Sequence, residues 1–364
     1  MIYLDYQATT PLAPEAREAM MPWLAGPEGP GFANPHSPHK PGRAAAAAIE
    51  VAREQVAQLL PQGGRIVFTG SATEAINLAI LGIRPRRLAV SAIEHAAVLD
   101  AAAASGGAVD TIGVGPIGGD WEGLVPDRTR FAQGTDLVAV MQVNNEIGTI
   151  QPVAELARAA HAAGALFLCD AVQGAGKLPP PPGADMIALS AHKLHGPKGI
   201  GALWVRDGLT LAPLIHGGGQ EQGLRSGTLS PALCAGFGAA AALANRRREE
   251  DAAHLRALWR RARAVLGRWT LNGSAEQRWP GNLNLRLDGL DVARLMSECR
   301  EIAFSAGSAC ASGSGRLSHV LAAIGLTAAE AKSSIRLGFG RYTHGEELED
   351  ACVRIDAAAA AQGV

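Results

Sequence analysis

Ser190-Ala191-His192-Lys193-Leu194-His195-Gly196-Pro197-Lys198-Gly199 holds two of the five lysines in a chain of 364 residues that has 33 lysines and arginines in all. Against so strong an arginine bias each lysine is informative. Arginine stays protonated and is no amine nucleophile, whereas a desolvated lysine can lose its proton and attack a carbonyl. Upstream, the apolar run Ala165-Leu166-Phe167-Leu168-Cys169 stops at Asp170. An acid closing a buried strand, followed one strand later by a lysine, sets the frame for the rest of the chain. Short apolar runs alternate with Ala-rich helical stretches on both sides of it, which is the pattern of an α/β layered fold. The runs predict strands over 65–69, 87–91, 137–143, 165–170, 185–190 and 199–205. Helices are predicted over 43–60, 73–81, 153–163 and 231–245, the last opened by Ser230-Pro231, a capping residue and a proline at the first helical position. Beyond the charged run Arg246-Arg247-Arg248-Glu249-Glu250-Asp251, read as a solvated helix face, the pattern changes. Shorter elements, an Asn-rich strand (Asn282-Leu283-Asn284-Leu285) and a final helix near 346–361 predict a smaller α+β domain.

Composition narrows the function. Length suggests about two domains, and 48% hydrophobic residues supply a large core. A net charge of −1 with no basic block gives no electrostatic support for nucleic acid or a membrane surface as partner. The start, Met1-Ile2-Tyr3-Leu4-Asp5-Tyr6, lacks the basic region and cleavage site of a signal peptide. The apolar stretch Ala232 to Ala244 is too short to span a bilayer. The five cysteines (Cys169, Cys234, Cys299, Cys310, Cys352) form no CxxC pair, so the expectation is a reduced, cytoplasmic protein without a metal site.

Lys193 and Asp170 together suit pyridoxal phosphate (PLP): the lysine holds the aldehyde, and the acid keeps the pyridine nitrogen protonated so that the ring accepts electrons. On these two residues alone a turn-capping acid and a surface lysine are an equal alternative. Phe68-Thr69 closes a strand and Gly70-Ser71-Ala72-Thr73-Glu74 opens a helix at capping-box spacing, leaving amides and a positive dipole end that suit a phosphate. Past other strand ends lie His95, Asn145 and Gln173. Ligands of open α/β sheets bind outside the carboxyl ends of the strands, so together these polar groups point to one site, although each taken alone reads more readily as a capped turn or loop residue.

Cys310 sits in Ser305-Ala306-Gly307-Ser308-Ala309-Cys310-Ala311-Ser312-Gly313-Ser314-Gly315, a segment with no large apolar side chain to pin it to a core. That context suits a thiolate nucleophile that must travel; a linker with an incidental cysteine is the alternative. Arg225, after Gly217-Gly218-Gly219, and Arg336, in Ser333-Ser334-Ile335-Arg336, carry forks that match a carboxylate, with a structural ion pair as the commoner reading for each.

As a set, the residues resemble those of cysteine desulfurases of the NifS/IscS-like group, in class V of the PLP-dependent aminotransferase superfamily. The resemblance runs end to end through Tyr3–Pro11, Asn34-Pro35-His36-Ser37, Phe68–Glu74, Glu94-His95, Val143–Gly148, Asp170–Gln173, Ser190–Lys193, Arg225–Thr228, Gly307–Cys310 and Ser333–Arg336. It implies a fold type I transferase, with a large domain of mixed, mostly parallel sheet over 12–248. A smaller α+β domain from 1–11 and 249–364 would carry the mobile cysteine loop (305–315). It also implies roles. Lys193 would join the cofactor and shuttle a proton, Asp170 would face the ring nitrogen, Gln173 the ring hydroxyl, and His95 the ring face. Ala72, Thr73, Ser190 and His192 would hold the phosphate, with Thr228 donated by the other subunit of a homodimer. Asn145, Arg336 and Asn34 would fix the substrate L-cysteine. Cys310 would take its sulfur as a persulfide for a sulfur-acceptor protein, releasing alanine, in iron–sulfur cluster assembly or thiolation. Selenocysteine lyase, or another class V aminotransferase or lyase, is the alternative. Departures are Gln7 where many relatives have serine, and Gly70-Ser71 in inverted order. The chain also ends soon after Arg341, short of the tail by which some relatives dock a scaffold, which favours a different acceptor.

Overall fold

The computed structural model describes residues 1–27, 29–307 and 317–364. The chain starts with β1 (Ile2–Tyr3), passes through α1 (Pro14–Met20) and α2 (Lys40–Ala57), and enters the main sheet at β2 (Gly64–Thr69). Then come α3 (Ala72–Ile83), β3 (Arg87–Ser91), α4 (Ala96–Ala104), β4 (Ala108–Ile112) and β5 (Leu137–Ala139). α5 (Val153–Ala162), β6 (Leu166–Asp170), β7 (Met186–Ser190) and β8 (Gly201–Arg206) complete that layer. The sheet order is β2-β8-β7-β6-β5-β3-β4. β8 runs antiparallel to both neighbours and the remaining pairs are parallel. The mixed, mostly parallel α/β sheet expected from the sequence is therefore present.

Its strands read as unbroken apolar runs because both faces are covered. In β6, Phe167 and Cys169 enter the core under α2, α5 and α6 (Pro231–Val265), while Leu168 enters the core under α3 and α4. In this part of the chain α1, α4 and β4 have no counterpart in the expected pattern. β4 is an edge strand whose Ala108, Val109 and Thr111 are exposed, so it lacks an apolar run. The expected strand 137–143 keeps a ladder only to Ala139, after which single bonds, Val140 N–H to Leu168 O and Gln142 N–H to Asp170 O, carry the chain past the sheet end.

α6 is 35 residues long and does not stop at Asn245. The charged run continues the helix, since Arg, Glu and Ala are good helix formers. Asp251 departs from a solvated face: Arg341 grips it with Nε at 2.9 Å and Nη2 at 2.6 Å from Oδ2. The near half of α6 packs Phe237 and Ala241 into the main core, and the far half packs Leu255 and Leu258 into a second core. The expected domain boundary at 248/249 thus falls within one helix.

The remaining elements are β9 (Thr270–Leu271), β10 (Asn282–Arg286), α7 (Val292–Glu298), β11 (Ile302–Ala303), β12 (Ser305–Ala306), α8 (His319–Ala323), α9 (Ala328–Lys332), β13 (Ser334–Gly338) and α10 (Gly345–Ala360). An antiparallel sheet, β12-β13-β10-β9, packs Leu283, Leu285, Ile335 and Leu337 against Leu348 and Ile355 of α10. The N-terminus returns here: β1 pairs in parallel with β11, and Leu4 is buried in the same core.

Candidate active site

The parallel strands deliver their next residues to one end of the main sheet. After β2, Ser71 Oγ accepts the Glu74 N–H at 3.2 Å and caps α3. The Glu74 carboxylate accepts from Gly70 N–H at 2.7 Å, not from Ser71 N–H as a capping box requires, and its other oxygen takes Arg225 Nε at 2.7 Å. Arg225 is therefore the partner of Glu74 and not an anion-binding residue. Gly201 of β8 lies beneath this turn: a Cβ there would meet Ser71 C at 2.5 Å and Ala72 N at 2.7 Å. With the helix start packed closely on the sheet, Ala72 and Thr73 head α3 and line the strand-end cavity, a position that suits an anion.

Ala72, Thr73, His95, Asn145, Asp170, Gln173, Ser190, His192, Lys193 and Arg336 all line a single cavity of about 330 Å³. Lys193 follows β7 in a short turn, and its Nζ donates to the carbonyls of Gln7 at 2.5 Å and Ala8 at 2.9 Å. Gln173 Nε2 donates to the same Gln7 carbonyl at 3.0 Å. Asp170 is buried at the end of β6. Burial pushes its carboxyl up, opposed by the Val172 N–H at 2.9 Å and by His95 and Lys193. A desolvated carboxylate so placed is stabilised by a cationic partner. His95 caps α4, its Nδ1 accepting the Ala97 N–H at 3.1 Å, which leaves the proton on Nε2 in the neutral ring. His192 Nδ1 lies 3.1 Å from Thr9 Oγ1. Burial and then the nearby Lys193, Lys198 and Lys177 hold His192 down at about 4, so it is neutral at ordinary pH.

One layer deeper, Glu94 is fully buried and its carboxyl is pushed up to about 8, first by burial. Its Oε1 accepts from Ser91 Oγ at 2.5 Å and Met141 N–H at 2.8 Å, and its other oxygen has no partner among the described residues.

The small sheet contributes Arg336, 1% exposed, from β13. Its Nη2 meets Asp5 Oδ1 at 2.7 Å and its Nη1 donates to Asn145 O at 3.1 Å, while Nε is buried without a partner among the described residues. Asn145 sits in a turn fixed by Asn144, whose Oδ1 accepts the N–H groups of Glu146 and Ile147. Gly148 ends that turn at φ +71°, against Asn282, where any Cβ would clash.

Two expected contributors stand outside the cavity. Asn34 is exposed because its Oδ1 caps the His36 N–H at 2.9 Å in the turn leading to α2. Thr228 is exposed and lines no part of it in the single chain. Cys310 lies outside the described residues. The other four cysteines are buried, and burial raises each thiol, Cys234 and Cys352 to about 12. The sequence reading passed over Thr9, Thr10, Asp5 and the carbonyls of Gln7 and Ala8, which brace Lys193, His192 and Arg336 from the N-terminal segment. Backbone acceptors leave no mark in residue type; the Tyr3–Pro11 motif was the one signal.

A lysine, an acid, a helix start and a histidine around one strand-end cavity define a member of the class-V aminotransferases, and the chain belongs to that family, which matches it over residues 2–350. Enzymes of this family work in general with PLP. The residues fit that group: the α3 start (Ala72, Thr73) lines the same cavity as Ser190 and His192 for a phosphate, with a desolvated Asp170 for a ring cation and an unpartnered Arg336 Nε for a carboxylate. Among relatives, a cysteine desulfurase of Frankia sp. (strain EuIK1) is 43% identical over 385 aligned residues, covering 96% of this chain and 89% of that protein. A cysteine desulfurase IscS of Anaeromyxobacter sp. (strain Fw109-5) is 42% identical over 369 residues, with 96% and 90% covered. Among solved structures, a NifS-like protein superposes with a TM-score of 0.87 at 31% identity, over 98% of each chain. The SspA–cysteine complex gives 0.78 at 35% identity, over 94% of this chain and all of that one.

Proposed function

We infer that this chain is a PLP-dependent cysteine desulfurase that takes sulfur from L-cysteine, releases L-alanine and carries the sulfur as a persulfide on Cys310. The observation that carries the reading is the strand-end cavity that Lys193, Asp170 and Arg336 line together. Ala72, Thr73, Ser190 and His192 would hold the phosphate, Asp170 the ring nitrogen, Gln173 the ring hydroxyl, and His95 the ring face. Bound PLP supplies the electron sink that makes the substrate Cα–H acidic and weakens its Cβ–S bond.

The chain's own residues do the rest. Arg336, held by Asp5 and the Asn145 carbonyl, binds the substrate carboxylate and orients the amino acid. Lys193 Nζ, steadied by the Gln7 and Ala8 carbonyls, moves the Cα proton. The neutral His192 adds no charge beside it, and His95 Nε2–H offers a proton on the ring face. The Cys310 thiolate attacks the substrate sulfur: an S–S bond forms, the Cβ–S bond breaks, and its electron pair stays on the carbon skeleton that leaves as alanine. Four cysteines are buried with raised thiol pKa values, which supports Cys310 as the nucleophile. The working unit is a homodimer in which the exposed Thr228 completes the partner's phosphate site. It acts in the cytoplasm and passes sulfur to an acceptor protein, with neither nucleic acid nor membrane as a partner; among the described residues no helix is long and apolar enough to cross a membrane.

The test is mass spectrometry of the intact protein after exposure to cysteine. One added sulfur on the Cys310 peptide, absent in Cys310→Ala, is the expected result. Undiminished sulfur release by Cys310→Ala would overturn the persulfide step and favour a lyase reaction.

A further inference from the structure

A second cavity, also of about 330 Å³, lies between Leu178, the far half of α6 and the segment that leads into β10. Lys177, Arg256 and Arg278 line it together with Trp259 and Trp279, and none of its lining residues is acidic. Arg278 is buried, and all its acceptors are neutral oxygens: Ser274 O at 2.9 Å, Asn282 O and Oδ1, and Asn272 O. No carboxylate is paired with it in a salt bridge among the described residues; Arg263 opposes its charge and Glu122 favours it. The indole Nε1–H of Trp259 is buried and has no acceptor among the described residues. Lys177 Nζ lies 5.9 Å from the centre of the Trp279 ring. Two arginines, two indoles and Lys177, whose ammonium is held down at about 7 by burial and by the nearby Lys193, line one hollow that has no acidic residue in its wall. Buried charge is ordinarily paired, and cavities of this size hold small organic ligands.

We propose that this cavity binds a small organic carboxylate, its anionic end taken by Lys177 and Arg256 and its flat apolar body packed against the two indoles. The site is separate from the strand-end cavity yet joined to it by hydrogen bonds. Lys177 Nζ donates to Gln173 Oε1 at 3.4 Å, Gln173 Nε2 donates to the Gln7 carbonyl, and that carbonyl also accepts from Lys193. An anion that draws Lys177 toward the indoles releases Gln173, so occupancy here is felt two hydrogen bonds from Lys193. The inference does not depend on the reaction assigned above.

The test uses the full-length protein as purified, with sodium benzoate as probe and tryptophan fluorescence as readout. Benzoate is expected to change the emission saturably, and Trp259→Phe to remove most of that change. Arg256→Ala, a substitution at an exposed side chain, should weaken benzoate about threefold, and Lys177→Met about tenfold or more. Benzyl alcohol, the uncharged counterpart, should produce no saturable change. The same benzoate affinity in wild type, Arg256→Ala and Lys177→Met would place the probe elsewhere and overturn the proposal. Equal binding of benzyl alcohol, or no saturable signal with benzoate, would overturn it as well.

Discussion

The end of the main sheet and the inner face of the small sheet both border the strand-end cavity, yet they hold their functional side chains differently. On the main sheet, Asp170 closes one parallel strand and His95 and Lys193 follow others, and the strands' positions are locked by helices on both faces. On the small sheet, one residue of β13, Arg336, reaches across and is fixed by an ion pair to Asp5 and a bond to the Asn145 carbonyl. The first wall is set by fold topology, and the second by a few polar contacts between segments distant in sequence. A single change should therefore remove chemistry on the first wall and positioning on the second.

Removing Lys193 tests the first wall hardest. Lys193→Ala should lower cysteine turnover by about 10²- to 10⁴-fold, with no borohydride-reducible lysine adduct, while the melting temperature changes little. Retained turnover would end the assignment. Arg336 tests the second wall: loss of its charge-assisted contacts should cost about 10- to 100-fold in kcat/KM, chiefly through KM. Arg336→Lys should recover part of this, because the charge remains and the fork is lost. If kcat alone fell, Arg336 would belong to the chemistry and the contrast between the walls would fail.

Glu94 gives a pH test beneath the main-sheet wall. The fold raises its pKa to about 8, so folding favours the neutral acid. Its contribution is whole below the unfolded carboxyl value near 4.5 and is lost as pH rises through about 8. Glu94→Gln should melt progressively higher relative to wild type between about pH 5 and 8, and the gap should level off above that. A pH-independent gap would mean that Glu94 is not held neutral. The smallest effect is expected at α9, where Thr327 and Glu330 form a full capping box. Thr327→Ala should cost about 1 kcal/mol of stability by denaturant titration and leave turnover untouched.

Much of the main sheet was legible because strands covered on both faces leave unbroken apolar runs ended by a polar residue, as at Cys169-Asp170. β4 was not, since an exposed edge strand needs no such run. The length of α6 was hidden by its charged stretch, which looks like a boundary until Arg341 is seen to hold Asp251. At the site, Lys193 and Asp170 stood out by residue type and position. Arg225 and Arg336 read alike in sequence; only their surroundings separate the partner of Glu74 from an arginine with an unused Nε. The carbonyls beside Lys193 had no sequence signature of their own.

The sealed positions of Cys169, Cys234, Cys299 and Cys352 have a practical consequence. Native alkylating reagents cannot reach sulfur atoms packed inside cores, so the folded wild-type chain needs no cysteine-stripped background. Whatever mass such a reagent, or a sulfur donor, adds before unfolding can be assigned to the fifth cysteine directly, and mild denaturation that unmasks the other four becomes a built-in count of intact molecules.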